Sequence, residues 1–402
     1  MRVMQINSLC GAGSTGRIAV DISNILQSQG HECLIAYGRE PAKGKVARWR
    51  IGSNLGIYHH VLMTRITDRH GFYSSLATRA LVRKIADYNP DIIHLHNIHG
   101  YYINVEILFA YLKKAGKPVV WTLHDCWAFT GHCAFFDYAD CDRWQTGCFS
   151  CPEKKVYPQS FVFDHSKGNY KRKKELFTSL EHVVLVTPSK WLQGLAKQSF
   201  LKKYPVEVIQ NGIELGVFKP TGSDFRDKHM LGGKVVLLGV ANVWDRRKGM
   251  EYFVQLESML DAKKYKIVLV GVSEKQKELL PPGILAFTRT NSAEELAQIY
   301  TASDVYVNTT LEDNFPTTNM ESLACGTPVI TFRTGGSPES IVESCGTVVE
   351  KGSIIQLYDA IVSYADRMAD RDGCVEKAKF YDKTERYKEY IDLYIRLINK
   401  AL

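Results

Sequence analysis

Short apolar runs alternate with stretches in which apolar residues recur every three or four positions, and this rhythm runs along almost the whole chain. The apolar runs, bounded by turn formers, predict strands at residues 2–6, 32–37, 92–95, 119–123 and 182–187. The same rhythm restarts at 235–240, 266–270, 304–309 and 328–332. Continuously apolar strands separated by helical segments are the mark of parallel sheets built from strand, helix, strand units, so the chain is expected to be α/β. Residues 16–30 predict the first helix, with Ile18, Ile22, Ile25 and Leu26 on one face and Gly30 as its stop. Residues 381–402 predict a last helix with Tyr387, Ile391, Tyr394, Ile395 and Ile398 in its apolar positions. No strand follows it, so it must pack on something already built.

Two such rhythms imply two doubly wound sheets, and 402 residues exceed what one hydrophobic core organises. Turn formers cluster at Asn211, Gly212, Pro220, Thr221, Gly222 and Ser223, which places a hinge near residues 213–224. The expected domains are residues 1–215 and 216–380, followed by the helix 381–402. Open parallel sheets bind ligands beyond the carboxyl ends of their strands, so two sheets facing each other would hold a site in the cleft between them.

Composition keeps the chain in the ordinary globular class, with 45% hydrophobic and 23% charged residues. No stretch approaches the roughly 18 apolar residues of a membrane span, and the N-terminus runs straight into a strand without a signal-peptide core. A cytoplasmic protein is expected. The net charge of +8 admits nucleic acid, anionic lipid or phosphate-bearing small molecules as partners without choosing among them. Part of the excess lies at residues 171–174, all basic, beside Tyr170 and Phe177; a solvated helix face is the favoured reading and a membrane-surface patch the alternative. Ten cysteines in a chain of this length are not a disulfide framework, and reduced thiols are expected.

Candidate chemistry collects where strands end. After the first strand, Gly11 to Gly16 lead into a helix and would let backbone amides approach a phosphate; a merely structural turn fits equally well. His96 and His124 each follow an apolar strand, with Asp125 next to the latter; a satisfied structural histidine is the competing reading, stronger for His96 than for His124. Arg246, Arg247 and Lys248 follow strand 235–240, where cations would hold a diphosphate and neutralise it as a leaving group, or else form a solvated loop. The stretch from Glu312 to Pro328 reads as a loop and a short helix stopped by Gly326. It puts Asp313 before the helix and Glu321 within it, one placed for a sugar and the other for ribose hydroxyls.

Asp313, seven residues, and then Glu321 ahead of Ala324-Cys325-Gly326-Thr327-Pro328 resembles the signature of retaining GT-B glycosyltransferases of family four. The resemblance extends over nearly the full chain. It takes in Gly13 and Gly16, His124 with Asp125, Asn211-Gly212-Ile213, Arg247-Lys248-Gly249 and Gly335-Gly336-Ser337-Pro338-Glu339. It implies a GT-B fold of two facing Rossmann-like domains, the C-terminal one binding the nucleotide sugar and the last helix returning to the acceptor-side N-terminal one.

By that resemblance Lys248 with Arg246 or Arg247 grips the donor diphosphate, and Glu321 binds the ribose. Asp313 and the backbone of Phe315, Pro316, Thr317 and Thr318 position the sugar, Gly13 and Gly16 border the diphosphate, and His124 sits beside the sugar ring. His96 and Asp125 are assigned to the acceptor side. The implied reaction retains configuration and uses no catalytic metal or cofactor. The implied partners are a nucleotide diphosphate sugar and a saccharide or lipid-linked saccharide, met at the inner membrane face in polysaccharide or glycolipid synthesis, with no nucleic acid. Two positions depart from the family pattern: Asp313 stands where Glu is commoner, and Val243 stands where an arginine is usual. The alternatives are a nucleotide-sugar sensor without turnover, and a GT-B epimerase or phosphorylase.

Residues 126–152 form a cysteine-rich loop. Cys133, Cys141, Cys148 and Cys151 lie within nineteen residues, with His132 beside the first and Cys126 close enough to substitute. The closing Cys-x-x-Cys pair suggests a structural zinc, against four unbound thiols in a packed loop.

Overall fold

The computed structural model describes residues 1–365 and 370–401. The chain divides into two compact units, Met1–Gln210 together with the chain from Thr384 onward, and Asn211–Lys383.

The first unit is built on seven strands: β1 (Arg2–Asn7), β2 (Glu32–Tyr37), β3 (Arg48–Arg50), β4 (Ile92–Leu95), β5 (Val119–Thr122), β6 (Val183–Thr187) and β7 (Val206–Val208). They pair in the order β3-β2-β1-β4-β5-β6-β7, all parallel. Strand alternation sorts the interior into two cores. Met4, Ile6, Ile93, Leu95, Val119, Trp121 and Leu185 face one side. Val3, Ile35, Ile92, Val120 and Val184 face the other, where the helices Gly13–Ser28 and Lys383–Ala401 cover them.

That second face also carries polar residues inside the strands. Gln5 lies opposite His94 in the β1–β4 register, and Thr122 lies on β5; all three are buried. The last helix answers them: the Tyr394 hydroxyl is 2.6 Å from His94 Nδ1, His94 Nε2 is 2.8 Å from Thr122 Oγ1, and that hydroxyl is 3.1 Å from the Tyr390 hydroxyl. Tyr387, Tyr390, Ile391, Leu393 and Tyr394 are the helix's buried residues. Ile395, expected there from its spacing, is 42% exposed, because Tyr390 and Tyr394 set the facing stripe and leave it on the flank.

The second unit holds β8 (Val235–Val240), β9 (Tyr265–Val270), β10 (Ile284–Phe287), β11 (Val305–Asn308), β12 (Val329–Phe332) and β13 (Gly346–Val349), parallel in the order β10-β9-β8-β11-β12-β13. In each sheet the strand order reverses direction at one point, between β1 and β4 and between β8 and β11. The loops leaving those strands diverge there and open the crevice in which such sheets bind ligands.

The basic run departs from its expected place. In the helix Ser166–Phe177, Lys173 is buried rather than solvated, its ammonium donating to the carbonyls of Trp127 (2.5 Å) and Thr130 (2.9 Å). It lies 3.6 Å from the centroid of the Trp127 ring, and burial pushes its pKa down to about 7. No helix among the described residues is long and apolar enough to cross a membrane.

The tyrosine contacts generate a test of how the last helix docks. Tyr394→Phe keeps the ring and leaves the buried His94 Nδ1 without its partner, which is expected to cost about 1–3 kcal/mol. A urea-denaturation midpoint equal to wild type would show that the helix docks through apolar contact alone.

Candidate functional site

In the second unit, the loops leaving β8 and β11 meet. Arg246–Lys248 is a single 3-10 turn whose start is capped by the Asp245 carboxylate, and Lys248 ends it. Gly249 follows at φ +66°, where an added Cβ would stand 2.3 Å from the Thr309 carbonyl oxygen, so a side chain at that position would part the two loops. Thr309 Oγ1 donates to the Lys248 and Gly249 carbonyls at 2.9 and 3.0 Å, and the Leu311 amide donates to the Arg247 carbonyl at 2.7 Å. This stitching brings Lys248 Nζ to 2.6 Å from Asp313 Oδ2, in a pair about one-quarter exposed. Arg247 instead turns its guanidinium to Asp245, 3.2 Å away, and Arg246 is exposed.

The Asp313 loop is pinned from a third side. Gly335, at φ +54°, approaches so closely that a Cβ there would stand 1.8 Å from the Asp313 carbonyl oxygen, and the Gly336 amide donates to the Asn314 carbonyl at 2.8 Å. Phe315 anchors the loop in the core. Pro316 then leads into the helix Thr317–Ala324, whose start no side chain caps. Glu321 on that helix is buried and accepts from the Tyr300 hydroxyl at 3.3 Å. Asn319 ties the helix to the turn after Gly336 through Ser337 Oγ (2.9 Å) and Ser340 Oγ (3.0 Å), while its own Oδ1 accepts from Asn308. A cation, two carboxylates and a helix N-terminus thus stand at the carboxyl ends of β8 and β11. That is the chemistry for a phosphate beside a polyhydroxylated group.

In the first unit, Gly13 opens the helix Gly13–Ser28 and Gly16 lies in its first turn, with the Gly11 amide donating to the Gly16 carbonyl at 2.9 Å. His124 lies just past β5, partly exposed, its Nε2 3.1 Å from His96 Nδ1 with the rings stacked at 5.4 Å. The acceptor-side expectation for His96 needs correction. This residue is buried and commits both ring nitrogens within the unit, Nδ1 to His124 and Nε2 to Gln5 Oε1 at 2.9 Å, so it supports His124 from behind. Asp125 accepts from the Trp127 amide and pairs with His99 Nε2, each at 2.9 Å. Burial alone would raise its carboxyl, but His99 and the Trp127 amide hold it below the usual range.

These contacts fix a proton. Gln5 Nε2 donates to the Ala19 carbonyl at 2.8 Å, so the Gln5 oxygen faces His96 and His96 Nε2 carries the hydrogen. Burial holds the His96 pKa well below its ordinary value, so the ring is neutral and its Nδ1 accepts. His124 Nε2 must then be the donor. Burial pushes the His124 pKa down to about 4, so near neutral pH it is an uncharged imidazole with its lone pair on Nδ1. Such a nitrogen accepts from a hydroxyl.

Sequence reasoning missed Gln5, His94 and Asn319 as parts of the site, and it met Gly335 only as part of the family resemblance, without a role. The signal available was a polar residue inside an apolar strand, at Gln5 and at His94. The four loop cysteines line one cavity, but among the described residues no three His, Cys, Asp or Glu side chains are placed closely enough to hold a metal ion.

Two family models match the chain: Glycosyltransferase Family 4 over residues 15–217 and Glycosyl transferases group 1 over residues 234–367. A protein of Escherichia coli (strain K12) that carries the name of a colanic acid biosynthesis glycosyl transferase, WcaC, is 26% identical over 374 residues, covering 89% of each chain. A D-inositol 3-phosphate glycosyltransferase of Corynebacterium jeikeium is 21% identical over 82% of this chain and 78% of its own. Among solved structures, sucrose-phosphate synthase of Thermosynechococcus elongatus superposes with a TM-score of 0.72 at 16% identity over the whole of both chains. HepE of Anabaena, in complex with UDP, superposes with a TM-score of 0.68 at 14% identity over 98% of this chain and 99% of its own.

The proton assignment predicts that 15N-histidine NMR at neutral pH reads His124 as the neutral tautomer protonated at Nε2. Gln5→Leu should abolish that preference, and an Nδ1-protonated His124 in the wild type would reverse the derivation. The buried histidines also predict a pH dependence of stability. Burial lowers His60 to about 3, His124 to about 4, and His94 and His96 well below 6.5. Each stays neutral when folded and takes up a proton near its ordinary pKa once unfolded, so stability falls as pH drops below about 6.5, by up to about 1.4 kcal/mol per pH unit for each. His132 opposes this: burial would lower it, but Asp68 raises it. Urea midpoints that stay flat between pH 7.5 and 5 would contradict the neutral assignment.

Proposed function

The chain belongs to glycosyltransferase family four, the glycosyl transferases group 1, and on that footing we propose that it transfers a sugar from a nucleotide diphosphate donor to a hydroxyl acceptor with retention of configuration. The observation that carries this reading is the pairing of Lys248 with Asp313 beside the N-terminus of the helix that bears Glu321.

Lys248, with Arg246 or Arg247, holds the diphosphate, and Glu321 accepts from the ribose hydroxyls. When the diphosphate arrives, the Lys248 ammonium exchanges the Asp313 carboxylate for phosphate oxygens, and Asp313 turns to the hydroxyls of the transferred sugar. The backbone amides of Phe315, Thr317 and Thr318 add donors to the same anion. The bond between the anomeric carbon and the leaving phosphate oxygen breaks, and the acceptor oxygen bonds the same carbon on the same face. The acceptor proton passes to the leaving phosphate, whose charge the cations stabilise, so the reading requires neither an enzymic base nor a metal.

The first unit contributes His124, whose Nδ1 accepts from a sugar hydroxyl, with Asp125 on the acceptor side. HepE, solved with UDP and with UDP-glucose, supports a nucleotide-sugar donor. The likeness to WcaC, named for colanic acid biosynthesis, supports polysaccharide synthesis as the setting; the acceptor in this reading is a saccharide or lipid-linked saccharide.

The test is to incubate the protein with a panel of nucleotide sugars and follow release of nucleoside diphosphate, with and without acceptors. One donor is expected to be hydrolysed slowly without acceptor. Lys248→Ala should lower release about 100- to 1,000-fold by losing charge stabilisation of the leaving group. Glu321→Ala should act mainly by raising KM. Donor binding with no release across a broad acceptor panel would replace this reading with a sensor, and an inverted product by NMR would remove retention.

A further inference from the structure

We propose that Cys133, Cys141, Cys148 and Cys151 bind one structural zinc ion that holds the loop between the helical turn Trp127–Phe129 and the helix Ser166–Phe177. The inference is independent of the transfer reaction. Between those two elements the chain has a single further 3-10 turn, Arg143–Gln145, so the loop lacks the backbone ladder that would fix it. It is held partly by packing: Ala134, Phe136 and Trp144 are buried in the first core, Phe136 and Trp144 stacked at 5.0 Å with Phe129 of the preceding turn against Trp144. Yet all four cysteines line one cavity of about 260 Å³, mouth included, and Cys133 and Cys151 are in side-chain hydrogen-bond contact; an ion would draw the other two sulfurs in to them.

Two of the four sulfurs accept from backbone amides, against the Cys151 contact and burial that raise the Cys133 thiol and the burial that raises the Cys148 thiol. The Gly131 amide donates to Cys148 Sγ at 3.1 Å, and the Glu153 amide donates to Cys151. Amide donors aimed at sulfur favour the deprotonated form that a metal takes, and they orient it. The Cys148–Cys151 turn is fastened from outside: Arg143 Nη1 donates to the Phe149 and Ser150 carbonyls at 2.9 and 2.6 Å, its guanidinium 4.6 Å from the Phe149 ring centroid.

Charge supplies a second, independent argument. Lys173 is buried beside Cys148 and Cys133, and its two hydrogen bonds run to carbonyl groups. A buried ammonium needs compensating anions, and the Asp125 and Asp68 carboxylates already act on this one together with the two cysteines. Four thiolates around a divalent ion carry a net charge of about −2, which this lysine would offset. A four-sulfur shell with no oxygen donor selects zinc over magnesium or calcium and is shared with iron.

The experiment is elemental analysis of the full chain, purified after expression in zinc-supplemented medium and passed over chelating resin. About one zinc per chain is expected. Cys148→Ser with Cys151→Ser should lose it, while Cys374→Ser in the second unit should retain it. In case the double variant does not fold, wild-type protein is stripped with chelator and titrated with cobalt(II), which should give intense thiolate-to-metal absorption at one equivalent. Folded wild type without zinc and without the cobalt signal would overturn the proposal, and so would stoichiometric iron.

Discussion

Five buried polar side chains on one face of the first sheet are satisfied in two clusters, Gln5 with His96 and His94 with Thr122 and Tyr394, whose His94 and His96 rings lie 3.9 Å apart. An apolar parallel sheet leaves no water to serve such groups, and each one stranded would cost about 1–3 kcal/mol. The first unit therefore requires the last helix: Tyr390 and Tyr394 complete a network that β4 and β5 begin. A second chain of bonds runs outward from Gln5 through His96 to His124 and touches the first only through the His94 and His96 rings; it is this chain that sets the protonated nitrogen of the residue at the strand end.

The second unit solves a different problem with backbone rather than side chains. Lys248 and Asp313 leave strands on either side of the point where strand order reverses, and their loops approach closely because Gly249 and Gly335 carry no Cβ to separate them. Glycine there costs chain entropy in the unfolded state, and the cost is met by the ladder of carbonyl contacts from Thr309, Leu311 and Gly336. A cation and a carboxylate held this way are set before a ligand arrives, which is what an electrostatic site requires.

Legibility followed burial. Every central strand of both sheets announced itself as a continuous apolar run. The four strands the periodicity did not reveal, β3, β7, β10 and β13, are the four sheet edges. An edge strand is half-covered, and here those strands are short and mixed: Arg48–Arg50 has no fully buried residue, and neither has Val206–Val208. The basic run at residues 171–174 misled for the converse reason. Three of its charges are solvated or partly so, and the fourth, Lys173, is carried inward by helical phase to carbonyl oxygens that belong to a loop some forty residues earlier.

The sequence by itself determined the α/β class, the two sheets, the helix that follows them and the family, because these rest on period, length and motif order, which are local properties. It also placed Lys248, Asp313, Glu321 and His124 at strand ends or on the short helix beyond. Only the tertiary structure decided that Lys248 pairs with Asp313, that His96 stands behind His124 and dictates its tautomer, and that Gly335 pins the Asp313 loop. Each of those facts is a contact between residues 20 or more positions apart, and such contacts are chosen by packing and by the need to satisfy buried polar atoms, neither of which is written in any one segment.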